Sequence, residues 1–459
     1  MPCKFGTDGV RGIAGKELTP EFARRLGWAV VCYLTKSGQP LTAVIGRDTR
    51  ASGPELVEAM ALGLREGGVA VTDMGVVPTG AISFATRMGT HGVGVVVSAS
   101  HNPPEYNGIK LFASSGKKLS PTSENWICEQ FESLAEPPVG ENPMGELWTG
   151  SEEVERYIGF LTDIAPNGLK GLRIALDAAN GAASDIAPKV FESLGAEVVA
   201  IGTRPNGTNI NVDCGATAPH VIQKLTQKQN AHFGVAFDGD ADRAVFADAD
   251  GRLLNGDQTI ALWCARATSD GAPRNKTVIG TVMANSGFVE HMKNQGFHFE
   301  RVPVGDRNVS DAIDNQNALI GGEPSGHVIF PHRGPTGDGL VTVLEIANLV
   351  ATTGRPLRDL FVEYPIWPQV LLNFKCSNLE GWEKNSALNE ALAECKVTLR
   401  SNGRIEMRAS GTEPILRVMV EARTNELLAG SEAAMTATLE RELAATLVQR
   451  VDLTDALGN

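Results

Sequence analysis

Residues Gly94–Lys110 read GVVVSASHNPPEYNGIK, and the fold turns on how this stretch divides. Val95, Val96 and Val97 form a β-branched run suited to a buried strand. The chain then enters Ser98-Ala99-Ser100-His101-Asn102-Pro103-Pro104, where two prolines exclude both helix and sheet ladder. A buried strand that empties into a stiff polar loop is how an α/β protein presents a reactive group. Here that group is the Ser100 hydroxyl, followed by His101 and Asn102, with Lys110 further on.

Working outward, one pattern recurs three times. Thr42–Asp48 (TAVIGRD) reads as a strand, Pro54–Glu66 as a helix with apolar Leu56, Val57, Met60, Leu62 and Leu64, and Val69–Met74 as a second strand. Arg173–Asp177, Ile186–Leu194 and Glu197–Ile201 repeat the series, as do Thr277–Val282, Phe288–Gln295 and Phe297–Val302. Each series is a βαβ unit, which implies parallel strands and a right-handed crossover. Each is also followed by a strand, a loop dense in chemistry and another strand: the Ser100 loop, then Phe233–Arg243 (FGVAFDGDADR), then Leu319–His327 (LIGGEPSGH). The expected fold is α/β: three tandem related α/β domains around a central cleft, plus a smaller C-terminal α+β domain. The expected boundaries are 1–150, 151–252, 253–365 and 366–459, with Glu136–Asn142 (EPPVGEN) as the clearest linker. The tail is expected to hold a strand at Val370–Phe374, helices near Ser386–Glu394 and Glu426–Leu447, and a strand–loop–strand at Gly403–Val420.

Composition sets outer limits. A chain of 459 residues has room for about three domains with sizeable cores. The net charge of −13 argues against a nucleic-acid footprint. Seven cysteines, Cys3, Cys32, Cys128, Cys214, Cys264, Cys376 and Cys395, are scattered, with none in CxxC, and their odd number argues against a disulfide framework. The opening MPCKFGTDGVRG has no apolar segment of the signal-peptide kind, and no run of about 18 apolar residues marks a membrane span. A cytoplasmic protein is expected.

Asp238-Gly239-Asp240-Ala241-Asp242 sets three carboxylates at alternate positions, with small residues between them so that the backbone can curl. Hard oxygen donors without nearby Cys or His favour Mg²⁺ over Zn²⁺; the plainer alternative is a solvated acidic turn. An EF-hand is excluded, because Arg243 and Ala249 stand where Gly and Glu are required. Arg408-Ala409-Ser410-Gly411-Thr412-Glu413-Pro414 reads as a phosphate nest, with Arg417 as a second cation, or as an ordinary hairpin turn. There is no Walker loop, since Leu111 and Lys118 fall where Gly and Ser/Thr are needed, so a nucleoside triphosphate is not the obvious donor. Glu323 and Ser325 suit sugar hydroxyl or amino groups. His327 is a proton acceptor or a structural histidine, and Arg11 either reaches phosphate or pairs with Asp8.

Taken together, SASHNP, DGDADR, GEPSGH and RASGTEP resemble the four signature loops of the α-D-phosphohexomutase superfamily, in that family's order and essentially end to end. FGTDGVRG at the start, Asn209-Ile210-Asn211 with Cys214-Gly215, Val304-Gly305-Asp306-Arg307 and Thr336-Gly337-Asp338-Gly339 resemble the bacterial members that act on glucosamine phosphates. The resemblance implies a phosphoserine at Ser100 and one Mg²⁺ held by Asp238, Asp240, Asp242 and the Ser100 phosphate. It implies acid–base and electrostatic roles for Arg11, Lys110 and His327, with His101 counted among the catalytic candidates. Arg243 lies beside the metal, Glu323 and Ser325 hold the sugar, and Arg408, Ser410, Gly411, Thr412 and Arg417 take the distal phosphate. The implied reaction interconverts the 6- and 1-phosphates of glucosamine through a bisphosphorylated hexosamine, which also primes the enzyme. A phosphomannomutase/phosphoglucomutase and, more remotely, a metal-dependent sugar phosphatase are the alternatives. The implied partner is a small sugar phosphate, with no nucleic acid or membrane, in a monomer or homodimer. One position departs from the family pattern: Pro324 stands where Gln, Asn or Met is usual, and altered loop stiffness rather than lost binding is expected.

Overall fold

The computed structural model describes residues 2–6, 8–138, 144–269, 275–377, 379, 381–410 and 414–454. The chain divides into two compact units, Met1–Thr281 with Val302–Phe361, and Val282–Arg301 with Val362–Asn459.

In the first unit, the predicted strand is Val93–Val97, buried at every position. Alternation explains why. Val93, Val95 and Val97 join a core with Leu26, Val30, Leu56 and Met60, from the helices Pro20–Ser37 and Gly53–Glu66. Gly94 turns the other way, and a Cβ there would meet Thr86 and Ile82 of the helix Thr79–Met88. A strand covered on both faces reads as a continuous apolar run. The sheet has six strands, in the order Val10–Ile13, Tyr106–Ala113, Val93–Val97, Thr42–Arg47, Ala70–Val76, Leu147–Thr149. Val93–Val97 runs parallel to Thr42–Arg47 and antiparallel to Tyr106–Ala113.

The same device recurs. In the second sheet Phe233–Phe237 is parallel to Arg173–Asp177 and antiparallel to Ala244–Asp248. Further on, Ile320–Gly322 is parallel to Thr277–Thr281 and antiparallel to Val328–Ile329. All three chemistry-rich loops are therefore the connection at which a sheet changes from parallel to antiparallel pairing.

The second unit contains an all-antiparallel sheet, in the order Gly403–Ala409, Ile415–Ala422, Gln369–Lys375, Thr446–Asp452. It carries the helices Ser386–Leu399 and Asn425–Leu443. One expectation is corrected here. The last helix does not reach Leu447: it ends at Leu443, Ala444 turns to φ 46°, and Thr446–Asp452 pairs with Gln369–Lys375 as a strand. That strand is mostly exposed, so it lacks the apolar alternation that would reveal it.

The cysteine expectation is also corrected. Cys3 and Cys128 form a disulfide, while Cys32, Cys214, Cys376 and Cys395 are free thiols. The parity of the total does not bear on a single pair joined across a sequence separation of 125. Among the described residues no helix is long and apolar enough to cross a membrane.

Candidate active site

Ser100 occupies the left-handed region at φ 52° and is 1% exposed. Its Oγ donates to Oδ2 of Asp238 at 2.6 Å, so the first and second sequence loops meet at the reactive hydroxyl. His101 Nδ1 lies 3.4 Å from the same Oγ. Asp238, Asp240 and Asp242 are all buried and offer oxygens within 4.8 Å of one another. Ala241, at φ 56°, makes the curl that brings them together.

The trio is flanked by cations. Lys110 reaches Asp240 at 2.7 Å, Asp8 at 2.9 Å and Asp242 at 3.6 Å. Thr79 Oγ1 donates to Asp240 at 2.6 Å, and the Arg243 amide donates to Asp238 at 3.2 Å. His327 Nδ1 stands 3.6 Å from Asp242, which brings the third loop to the second. Among the described residues, Oδ1 of Asp240 and Oδ1 of Asp242 are buried with no hydrogen-bond partner. Buried carboxylate oxygens left open in this way fit a hard divalent cation.

Burial and mutual repulsion explain the charge states. Burial, then the Asp242 and Asp240 charges, push Asp238 well above the usual carboxylate range. Burial pushes Asp242 the same way, but Lys110 and His327 more than reverse it. Burial disfavours the Lys110 ammonium, yet Asp240, Asp8 and Asp242 hold its pKa above the ordinary lysine value. Burial likewise opposes charge on His327, and Asp242 overcomes it to bring the imidazole to about 9. The Arg243 charge and then burial lower His101 to about 3, so it is neutral at pH 7.

Arg11 pairs with Asp8, and its Nη1 also donates to Asn102 Oδ1 at 3.3 Å. Glu323 is nearly buried and accepts from the Gly305 amide at 3.2 Å; Ser325 is buried beside it in the chain. Gly326 N donates to Glu323 O at 3.0 Å, closing a turn with Pro324 at its second position. Proline pre-sets the φ that this position needs, so Pro324 is compatible with the turn.

Arg408, Ser410 and Arg417 belong to the second unit, where Arg408 and Arg417 are cross-strand partners and Ser410 N donates to Ile415 O at 2.7 Å. Gly411 and Thr412 lie outside the described residues. Sequence reasoning did not identify Asp8 as more than a partner for Arg11, and it assigned no role to Thr79, Lys118, Asp48, Arg50 or Asn211, although Asn211 falls in a stretch that carries the resemblance. Lys118 bridges Asp8 and Asp306, the latter at 2.6 Å. The GRDTR run around Asp48 and Arg50, two opposite charges directly after a buried strand, is the signal that was there to be followed.

Three tandem α/β/α domains whose switch-point loops set a serine on an aspartate cluster define the phosphohexomutase class. The chain matches the phosphoglucomutase/phosphomannomutase alpha/beta/alpha domains I, II and III over residues 2–137, 155–251 and 255–365, and the C-terminal domain over 371–438. It belongs to that family. It is 42% identical to a phosphoglucosamine mutase of Acidovorax sp. (strain JS42), over 92% of this chain and 95% of that protein. It is 41% identical to a phosphoglucosamine mutase of Corynebacterium glutamicum (strain ATCC 13032), over 94% and 99%. Among solved structures it resembles a phosphoglucomutase/phosphomannomutase family protein from Burkholderia thailandensis, with TM-score 0.80 and 25% identity over 96% of this chain and 98% of that one.

Proposed function

We propose that the chain interconverts glucosamine 6-phosphate and glucosamine 1-phosphate, the reaction of a phosphoglucosamine mutase, in the cytoplasm, supplying UDP-N-acetylglucosamine synthesis. The observation that carries the reading is the 2.6 Å contact between the Ser100 hydroxyl and Asp238 inside a buried, cation-flanked carboxylate cluster. Full-length similarity to proteins of that name supports the choice of substrate.

In this reading Ser100 carries a phosphoryl group. Asp238, Asp240, Asp242 and an oxygen of the seryl phosphate would hold a divalent cation, Mg²⁺ by donor chemistry, which would supply charge neutralisation for the phosphoryl oxygens. A phosphoserine bears about −1.5 to −2 charge, and an anionic sugar phosphate approaches it only against fixed positive charge. Lys110, Arg11, Arg243 and the charged His327 provide that charge. His101, neutral, hydrogen-bonds the seryl oxygen.

The phosphoryl passes from Ser100 Oγ to O1 of the sugar. The bisphosphate then reorients, and Ser100 takes back the phosphoryl from O6. Glu323 and Ser325 are assigned to the sugar, and Arg408, Ser410, Gly411, Thr412 and Arg417 to the phosphate that is not reacting. The working domains are 1–150 for the serine loop, 151–252 for the metal loop, 253–365 for the sugar loop and 366–459 for the phosphate loop.

The test is Ser100→Ala, assayed with glucosamine, glucose and mannose phosphates in the presence of glucose 1,6-bisphosphate, with inorganic phosphate followed in parallel. Loss of turnover with unchanged circular dichroism is expected, with the wild type showing highest kcat/KM on glucosamine phosphates. Appreciable turnover by the variant would refute the phosphoserine. Higher kcat/KM on mannose or glucose phosphates would move the assignment to a phosphomannomutase/phosphoglucomutase. Stoichiometric phosphate release would make the protein a phosphatase.

A further inference from the structure

We propose that Arg50 and Asn211 are positioning residues that clamp the Ser100 loop from two domains and set the reach of the Ser100 hydroxyl toward the aspartate cluster. The proposal rests on the reading of Ser100 as the phosphoryl carrier.

Arg50 is completely buried, and all five of its side-chain N–H groups are engaged. Nε donates to Asp48 Oδ2 at 2.9 Å. Nη1 donates to the carbonyls of Pro103 and Tyr106, the latter at 2.9 Å. Nη2 donates to the carbonyls of Ser100 at 2.9 Å and Asn102 at 2.8 Å. Asp48 also accepts from Ser98 Oγ at 2.6 Å, and Ser98 Oγ accepts from the Ser100 amide at 2.9 Å. Both backbone ends of Ser100 are thus tied to one buried ion pair.

Asn211 grips the same two carbonyls from the second domain. Its Nδ2 donates to Ser100 O at 2.9 Å and to Asn102 O at 3.1 Å. A carbonyl oxygen has two lone pairs, so on both residues the acceptor capacity is filled, once by Arg50 and once by Asn211. Asn211 is itself held at φ 61°, with its amide donating to Ala179 O at 3.0 Å. Gly239, between the first two aspartates, lies so close that a Cβ there would come 2.5 Å from Ser100 O and 2.9 Å from Asn211 Nδ2. The metal loop, the clamp and the reactive serine therefore meet at one carbonyl.

Two features point to positioning rather than general support. The clamp holds a non-glycine residue in a left-handed conformation, which persists only where its surroundings over-determine it. It also fixes a group whose partner, Asp238, comes from another domain, and misplacement of a reacting group by about 1 Å costs on the order of 10²-fold in rate.

The test follows the half-reaction in which Ser100 takes a phosphoryl from glucose 1,6-bisphosphate. The bond from phosphorus to the sugar oxygen breaks, the bond to Ser100 Oγ forms, and the seryl proton leaves to the released sugar oxygen. Intact-protein mass reads the rate in full-length Asn211→Ala, Arg50→Lys and the double variant. Each single change is expected to slow transfer by about 10²-fold with KM for the bisphosphate within about threefold, and the double variant to be less impaired than the product of the two, because both act on the same carbonyls. Wild-type rates in Asn211→Ala, or losses that multiply and follow the fall in melting temperature, overturn the clamp. If wild-type Ser100 is phosphorylated but glucosamine phosphates are not turned over, the substrate assignment fails and the clamp is still decided by the variants. A wild type that takes no phosphoryl overturns both.

Discussion

The ammonium of Lys110 lies 2.7 Å from Asp240 Oδ2, with both side chains buried, and Asp8 shares the same nitrogen at 2.9 Å. Lys110 is thus the resident counter-charge of the cluster. Removing one partner of a buried ionic group leaves uncompensated charge, at a cost of about 3–5 kcal/mol. Lys110→Met is expected to melt well below the wild type in EDTA. A divalent cation then meets a more negative cluster, so MgCl₂ is expected to raise the melting temperature more in the variant than in the wild type. Melts of both proteins with and without MgCl₂ check this, and an equal rise in the two would count against cation binding at the trio.

Asp338, whose neighbour Gly339 donates its amide to Ala241 O of the aspartate loop at 2.9 Å, predicts a pH dependence. Its Oδ1 caps the helix Gly339–Thr353 by accepting from Leu340 N at 3.0 Å and Val341 N at 3.2 Å, and Tyr157 donates to Oδ2 at 2.9 Å. Burial raises the carboxyl to about 6 against these hydrogen bonds. A folded-state pKa above the unfolded value means that ionisation is penalised in the native state. The associated stability is complete below about pH 4 and is lost as pH rises through about 6, up to about 3 kcal/mol for two pH units. Asp338→Asn keeps the capping carbonyl and cannot ionise, so its stability relative to wild type is expected to improve by up to that amount between pH 4 and pH 7. Denaturant unfolding at both pH values measures it; parallel curves for the two proteins would remove the assignment.

Gly63 gives a prediction about packing. A Cβ there would lie 2.0 Å from Arg24 O, where the helices Pro20–Ser37 and Gly53–Glu66 cross. Overpacking of this kind costs typically 1–3 kcal/mol. Gly63→Ala is expected to lower the melting temperature while leaving KM unchanged, because the contact lies in the helix layer and not at the loops.

What the sequence makes legible follows from locality. The valine run and the two prolines identify the strand and loop around Ser100 because both signals act within a few residues. Asp238, Asp240 and Asp242 stand out because their spacing is itself the chemistry. The roles of Thr79, Lys118 and Asn211 do not, because each matters through a partner more than a hundred residues away: Thr79 through Asp240, Lys118 through Asp8, Asn211 through Ser100. Asp8 is visible only as a local partner for Arg11, although it also binds Lys110 and Lys118. The edge strand Thr446–Asp452 is hidden for another reason: with little to bury, it carries almost no hydrophobic period.

Arg408 and Arg417 face each other across the hairpin of Gly403–Ala409 and Ile415–Ala422, and Arg417 Nε is buried with no hydrogen-bond partner among the described residues. Like charges directly opposite on adjacent strands are destabilising, by a few tenths to about 1 kcal/mol. A dianionic phosphate at the Arg417 guanidinium would give Nε a partner and offset the charge of the pair. Arg417→Gln is therefore expected to leave the protein's melting temperature unchanged or slightly higher. A lost charge-assisted hydrogen bond is worth about 1.5–3 kcal/mol, so KM for glucosamine 6-phosphate is expected to rise by roughly 10- to 100-fold, with a smaller change in kcat. Steady-state kinetics and a thermal melt on the same preparation decide the matter. An unchanged KM would place the non-reacting phosphate elsewhere, whereas a fall in melting temperature would mean that Arg417 supports the hairpin itself.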